Sequence, residues 1–355
     1  MTASGSLPRS LSDHPLVRIA ADLSIIAWEQ MSQWRAVLGA DLDASVVDTK
    51  SSPNDLVTAA DAQIEALVRG YLRAVRPGDL MIGEEGAEAI DPVDFFDRAL
   101  LGRLSLFDPG AGALVAAADL DVTDLDGGQR LEWHVDPIDG TVNFVRGIEH
   151  FAFSVGVRQS VDAIFEGADS EDTGSEGTDS EGAGPGAAVP GGEDEGWLIG
   201  LVASPGLGVT WLAGRGHGAY RVDGRLVDRL SELGDSAAAI PATRLTGEPA
   251  GLSGRLLATG FAYTEEGRAA QLAKLPELLA GYNDIRRCGS AAIDLCMVAE
   301  GKVTSYAERG LGIYDYAGGA LIAEESGAAV RRGGSRGATA AADSPAELDR
   351  LLAVL

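Results

Sequence analysis

Three short acidic segments stand far apart in this chain of 355 residues: Gly83-Glu84-Glu85, Asp136-Pro137-Ile138-Asp139-Gly140-Thr141 and Tyr314-Asp315. A fold that must bring them to one point is tightly constrained. Converged, Glu84, Asp136, Asp139 and Asp315 form a nest of oxygen ligands for divalent cations. Carboxylates suit hard ions such as Mg²⁺, which keep some waters and take phosphate oxygens as further ligands. Such a nest points to metal-assisted hydrolysis of a phosphate ester.

The central segment has the most specific physics. Pro137 fixes its own φ, lacks a donor N–H and biases Asp136 toward an extended backbone, so a turn here can aim both aspartates at one place. Gly140 and Thr141 precede Val142-Asn143-Phe144-Val145, so the chain can enter a short helix with its first N–H groups free, and such a terminus binds phosphate. Taken alone, Asp-Pro-x-Asp-Gly is also ordinary β-turn chemistry. Plain readings attach to the other acids too. Glu84-Glu85 reads equally as an exposed strand end, and Asp61 as a helix residue facing water. Asp315 reads as the N-cap of a helix over 317–325, a role compatible with metal binding.

Other segments narrow the choice. The run from Trp133 to Asn143 resembles the first signature of the inositol monophosphatase family of metal-dependent phosphatases. The stretch Tyr306-Ala-Glu-Arg-Gly-Leu-Gly-Ile-Tyr-Asp-Tyr-Ala-Gly-Gly319, leading into Glu324-Glu-Ser-Gly327, resembles its second. Lys50-Ser-Ser-Pro-Asn-Asp-Leu-Val-Thr-Ala-Ala-Asp61 is similar to an N-terminal element of the family. Gly83-Glu84-Glu85 matches its metal-binding glutamate and Gly289-Ser-Ala-Ala-Ile-Asp-Leu-Cys296 its late helix. The five elements occur in family order, so the resemblance spans roughly residues 20 to 330.

The resemblance implies an α+β fold, a layered α-β-α-β-α sandwich of the sugar-phosphatase type. It implies two to three Mg²⁺ ions, with Mn²⁺ as a substitute. Glu84, Asp136 and the Ile138 carbonyl would hold the first ion, and Asp136, Asp139 and Asp315 the second. A weaker third would lean on Glu84 and water. In two-metal chemistry, ions about 3.5–4 Å apart polarise phosphoryl oxygens and acidify a bound water. By the same resemblance Asp61 and Thr141 would orient and deprotonate that water, with Glu84 also in the catalytic set. The N–H groups of Gly140 and Thr141 would receive the phosphate. Glu308 would accept hydrogen bonds from substrate hydroxyls, with Ser290, Ala291 and Asp139 lining the ring pocket, and Lys50 would approach the metal shell or phosphate. The chain departs from the family at Val142, where a second threonine is usual, and at Tyr314, where a tryptophan is usual. Neither position supplies a metal ligand.

Composition agrees with an enzyme of this kind. The net charge of −26 opposes nucleic-acid binding, which demands a basic surface. An insertion at 164–195 holds ten acidic side chains and no Lys or Arg, so the chain without it stands at −16. Rich in Gly, Ser and Ala, the insertion has the composition of a disordered loop. It interrupts a hairpin of Phe151 to Val157 with Trp197 to Ala203. The apolar run Ala20 to Trp28 falls short of the roughly 20 residues of a membrane span, and no basic region followed by an apolar stretch marks a secretory signal. A cytoplasmic protein without membrane or nucleic-acid partners is expected, and the family implies a homodimer. The two cysteines, Cys288 and Cys296, stand about 12 Å apart if the late helix already starts near Cys288. That exceeds the roughly 7 Å that a disulfide can bridge. His134 reads as structural, and the four histidines show no metal spacing.

Apolar periodicity predicts helices over Leu16 to Leu38 and Leu56 to Ala74, a buried strand at Leu80 to Gly83, and a meander through Trp197–Ala203, Val209–Ala213 and Gly218–Val222. Residues 86–131 are longer than the matching family stretch and read as a peripheral elaboration. The division expected is an N-terminal subdomain, 1–262, with the metal motifs, and a C-terminal one, 263–355, with the substrate pocket and Asp315. The leading function is hydrolysis of inositol-1-phosphate. Histidinol phosphate, fructose 1,6-bisphosphate and 3′-phosphoadenosine 5′-phosphate are alternatives with the same metal chemistry. A noncatalytic regulatory protein on this fold would be marked by a lost metal carboxylate, and none is lost.

Overall fold

A computed structural model of the chain describes residues 4–38, 53–117, 130–160, 195–233, 239–247, 253–334 and 337–355. Lys50 lies outside the described residues, as does the insertion at 164–195 apart from Glu195.

The chain opens with strand β1 (Ser4–Ser6), one-turn helix α1 (Arg9–Ser12) and the long helices α2 (Pro15–Leu38) and α3 (Pro53–Val75). Strand β2 (Leu80–Gly83) leads to one-turn helices α4 (Pro92–Phe95) and α5 (Arg98–Leu101) and a minimal hairpin, β3 (Phe107–Asp108) with β4 (Ala113–Leu114). Then come β5 (Leu131–Asp139), α6 (Thr141–Arg146), β6 (Ala152–Gln159), β7 (Trp197–Ser204), β8 (Val209–Gly214), β9 (Gly218–Asp223), α7 (Leu226–Leu233) and β10 (Pro241–Leu245). The last part runs β11 (Leu256–Thr259), α8 (Glu265–Leu278), β12 (Asp284–Arg286), α9 (Ala291–Ala299), β13 (Ser305–Arg309), α10 (Ile313–Glu325), β14 (Ala329–Arg331), β15 (Ala338–Ala342) and α11 (Pro345–Val354).

Among the described residues an eight-stranded sheet has the order β1-β10-β9-β8-β7-β6-β5-β2, and a five-stranded sheet the order β12-β11-β13-β15-β14. Helices α2 and α3 cover one face of the first sheet, α9 and α10 lie between the sheets, and α8 and α11 close the far face of the second. The fold is therefore the layered α-β-α-β-α sandwich, an α+β architecture. Apolar clusters fill each interface between layers. Strand alternation divides them: Ala258, Tyr306 and Ala341 face the middle helices, while Leu257, Ala307, Ala340 and Ala342 face α8 and α11. Because the first sheet is covered on both sides, β7 is buried along its whole length and reads as an almost unbroken apolar run.

Helix α10 reaches the first sheet through a seam of glycines. A Cβ on Gly318 would stand 2.8 Å from the Val155 carbonyl oxygen and 3.0 Å from that of Leu201, and one on Gly200 would stand 2.5 Å from the Gly318 carbonyl oxygen. This close approach sets the position of Asp315, in the first turn of α10, over the end of β5.

Several expectations change. The helix read over 317–325 begins at Ile313, so Asp315 is its third residue and not its N-cap; its carboxylate accepts the Gly312 N–H at 2.6 Å. Strand β2 is a half-exposed edge with Ile82 at 37% exposure, because β5 pairs with it on one side only. Helix α9 starts at Ala291, leaving Cys288 in the preceding loop; both thiols are free, so the lack of a disulfide rests on a different geometry. The second sheet opens at Leu256, ahead of the division drawn at 262/263. Within the elaboration, residues 86–117 form the one-turn helices and the minimal hairpin and lie against α2 and α3, where Asp22 accepts the Ser105 N–H at 2.9 Å.

Candidate active site

The two aspartates of the central segment share a face because β5 is bulged. Asp136 sits opposite Ser154 and Asp139 opposite Ala152, so three steps along β5 match two along β6. The irregularity falls at Pro137-Ile138, where proline has no N–H for the ladder. Side chains three apart on a regular strand point to opposite sides; the extra residue reverses the phase and turns both carboxylates the same way. The segment is thus a strand bulge, in contrast to the turn read from Pro, Asp and Gly. Gly140, at φ +90°, then redirects the chain into α6, and a Cβ there would come within 2.9 Å of the His150 carbonyl oxygen.

Glu84 arrives from β2, which pairs parallel to β5 with Gly83 opposite Val135. Both strands end at the same edge, which brings Glu84 beside Asp136. Beneath them lies Glu65, fully buried on α3 and paired with Arg69 at 2.6 Å. Its carboxylate accepts the N–H groups of Glu85 at 2.8 Å and Ala87 at 3.0 Å, and fills the space a side chain on Gly83 would need. Glu65 was not singled out from sequence, although a lone acid among Ile64, Leu67 and Val68, one turn after Asp61, was a usable signal.

One carboxylate oxygen from each of Asp136, Asp139 and Asp315 lies within 4.8 Å of the other two. Glu84 lines the same cavity of ≈ 410 Å³. Burial and neighbouring carboxylates raise all four. Asp136 is pushed well above the usual carboxylate range by burial and then by Asp139, Asp315 and Glu84. Asp315 rises to about 7 by burial and then Asp139, although the Gly312 N–H opposes the shift. Glu84 is raised by burial, Glu85 and Glu65. Asp139 rises to about 6 through burial, countered by its hydrogen bonds. Those bonds come from Ser290 Oγ at 2.6 Å, Ala292 N at 2.7 Å and Ala291 N at 3.3 Å, so the start of α9 grips it. So many buried acids ionise together only with a counter-charge, and a divalent cation is the natural one.

The remaining expected residues have these places. Asp61, on α3, is 4% exposed; burial and then Glu84 push it up to about 8, and its Oδ1 has no hydrogen-bond partner. Thr141 donates its hydroxyl to the Ile138 carbonyl at 3.0 Å, and both line the cavity with Gly140, Ser290 and Ala291. Glu308 lines it from β13, held by the Tyr306 hydroxyl at 2.8 Å in space left open by Gly260. Burial is the main cause that lifts Glu308 to about 7. His134 is fully buried against Glu132 at 3.2 Å and Trp197, a structural setting. Residues 86–117 contribute nothing to the cavity lining. Arg287, Asp294 and Tyr263, not anticipated, do line it.

A five-layered sandwich with a buried oxygen-ligand nest at the edge of its first sheet is the framework of a cation-using phosphatase. The inositol monophosphatase family model matches residues 16–163 and 193–348, and the chain belongs to that family. It is 35% identical over 329 residues to the inositol-1-monophosphatase of Mycobacterium leprae (strain TN), covering 90% of this chain and 85% of the relative. It is 28% identical over 283 residues to a Vibrio cholerae protein named Nus factor SuhB, covering 79% and 73%. The solved structure of Mycobacterium tuberculosis SuhB matches with a TM-score of 0.57 and 28% identity, over 99% of this chain and 97% of that one.

Proposed function

We propose that the chain is a Mg²⁺-dependent phosphomonoesterase whose leading substrate is inositol-1-phosphate. The observation that supports this most directly is the convergence of Asp136, Asp139 and Asp315 within 4.8 Å, in a cavity that Glu84 shares. The donors are all oxygen, which fits two or three hard cations, with Mn²⁺ able to substitute. Glu84, Asp136, Asp139, Asp315 and the Ile138 carbonyl would hold them. Bound Mg²⁺ supplies neutralising charge, pull on the phosphoryl oxygens and a more acidic water.

The chain's own groups do the rest. Asp61, buried beside Glu84 and with one oxygen unpartnered, takes the proton of the attacking water, which the Thr141 hydroxyl helps orient. The N–H groups of Gly140 and Thr141 receive the phosphate. Glu308 accepts from hydroxyls of the leaving group, as two carboxylate oxygens suit a polyol. Ser290 and Ala291 hold Asp139 and shape the ring pocket.

Arg287 on the cavity wall favours one second reading, a leaving group with another anionic group such as fructose 1,6-bisphosphate. A phosphate-release screen with Mg²⁺ over inositol-1-phosphate, histidinol phosphate, fructose 1,6-bisphosphate and 3′-phosphoadenosine 5′-phosphate separates these. Preference for a bisphosphate replaces the leading substrate, and silence on every ester turns the reading toward a regulatory role. The same proposal includes a homodimer in the cytoplasm, and sedimentation measures the first part. None of the described helices is long and apolar enough to cross a membrane.

A further inference from the structure

Beside the all-oxygen nest lies a cluster of different chemistry. An imidazole nitrogen of His150, the sulfur of Cys288 and a carboxylate oxygen of Asp294 all lie within 4.8 Å of one another. His150 Nε2 stands 3.4 Å from Asp294 Oδ1. Two ligands of a tetrahedral ion with bonds of about 2.0–2.1 Å stand roughly 3.4 Å apart, so this edge already has coordination length. The three residues come from separate places: the approach to β6, the loop after β12 and the first turn of α9.

What fixes them together is Asn143. Its buried amide donates to the His150 carbonyl at 2.7 Å and to the Cys288 carbonyl at 2.8 Å, so one side chain ties both loops. Supports of this kind hold ligands in place before an ion arrives. Asn143 is a positioning residue here. Asp294 is 1% exposed; its side chain interacts with His150 and Cys288, the groups that would share the ion, and with the charge of Arg287, which the ion would have to tolerate or displace.

We propose that His150, Cys288 and Asp294 form a second cation site, selective for a borderline-soft divalent ion of the Zn²⁺ class and chemically separate from the Mg²⁺ nest. Sulfur and imidazole favour such ions over Mg²⁺, which prefers carboxylates and water. On binding, the sulfur–metal bond forms as the S–H bond breaks and its proton leaves to solvent. A neutral imidazole, a thiolate and a carboxylate then balance the double positive charge, and water completes the fourth position. Asp294 also lines the substrate cavity, so the ion would sit in the wall of the active site.

The test uses the full chain with saturating Mg²⁺ and Co²⁺ as the probe. A thiolate-to-cobalt charge-transfer band should appear near one equivalent, vanish in Cys288→Ser and persist in Cys296→Ala, since Cys296 is buried inside α9. His150→Ala should weaken Co²⁺ by about tenfold or more. As an independent readout on the unaltered chain, Zn²⁺ should slow alkylation of Cys288 by about tenfold or more, measured on the peptide by mass spectrometry. No band, a band that survives Cys288→Ser, or alkylation indifferent to Zn²⁺ would overturn the site and leave the trio as a loop anchor. None of these readouts depends on phosphate hydrolysis.

Discussion

Replacing Asp315 by Asn should stabilise the cation-free protein at alkaline pH while it impairs catalysis. Burial and the neighbouring acids hold Asp315 near pH 7 against an ordinary value of 3.8. Between those values the folded chain keeps a proton that the unfolded chain has released, so stability falls as pH rises through this window. Ionising the group fully costs the fold roughly 4 kcal/mol as an upper limit, and solvent at the cavity mouth reduces that to roughly 1–3 kcal/mol. Asn is neutral at all pH and its Oδ1 can still accept the Gly312 N–H, so the helix start survives. Urea unfolding in EDTA at pH 5 and pH 8 is the assay. The variant's advantage over the parent should grow by roughly 1–3 kcal/mol between those pH values. Titrations common to both proteins cancel, and easier ionisation of Asp136 and Asp139 in the variant acts in the same direction. Added Mg²⁺ should restore more stability to the parent than to the variant. An advantage flat with pH, or a variant less stable at pH 8, would refute the repulsion argument.

Asp136→Asn should remove at least about 100-fold of Mg²⁺-dependent turnover with an unchanged circular dichroism spectrum; near-normal rates would remove Asp136 from the ligand set. Gly318→Ala should destabilise by about 1–3 kcal/mol, because its Cβ meets the Val155 and Leu201 carbonyls and α10 must lift from the sheet. Turnover should fall with it, and a variant as stable and active as the parent would show that the seam yields freely. Glu308→Gln should depress hydrolysis of a polyol phosphate about tenfold more than that of an aryl phosphate. Equal losses would argue against contact with substrate hydroxyls.

What could be read from residues alone was mostly chemistry and long periodic elements. The acids of the metal motifs, helices α2 and α3 and the β6–β7 hairpin all announce themselves through charge pattern or apolar spacing. The bulge in β5 does not, because Pro, Asp and Gly suit turns and bulges alike, and only pairing with β6 decides between them. Strand β15, Ala338–Ala342, has Thr339 as its one β-branched residue among four alanines, a weak local signal for a strand. Small side chains serve there because α10 and α11 press on its two faces, a tertiary fact with no local trace. The cluster of His150, Cys288 and Asp294 was equally invisible, since its members are separated by more than a hundred residues on one side and joined only by the fold.

The insertion between β6 and β7 sits at a natural seam for splitting the protein in two. A chain severed there would leave Asp61, Glu84, Asp136 and Asp139 on one piece and Glu308 and Asp315 on the other, with the β6–β7 ladder as the surface for reassembly. Neither half alone could assemble the full set of acids. With the acids holding cations as proposed, divalent ions should act as glue that promotes complementation, which makes this chain a ready scaffold for a two-piece reporter of whichever cation it binds.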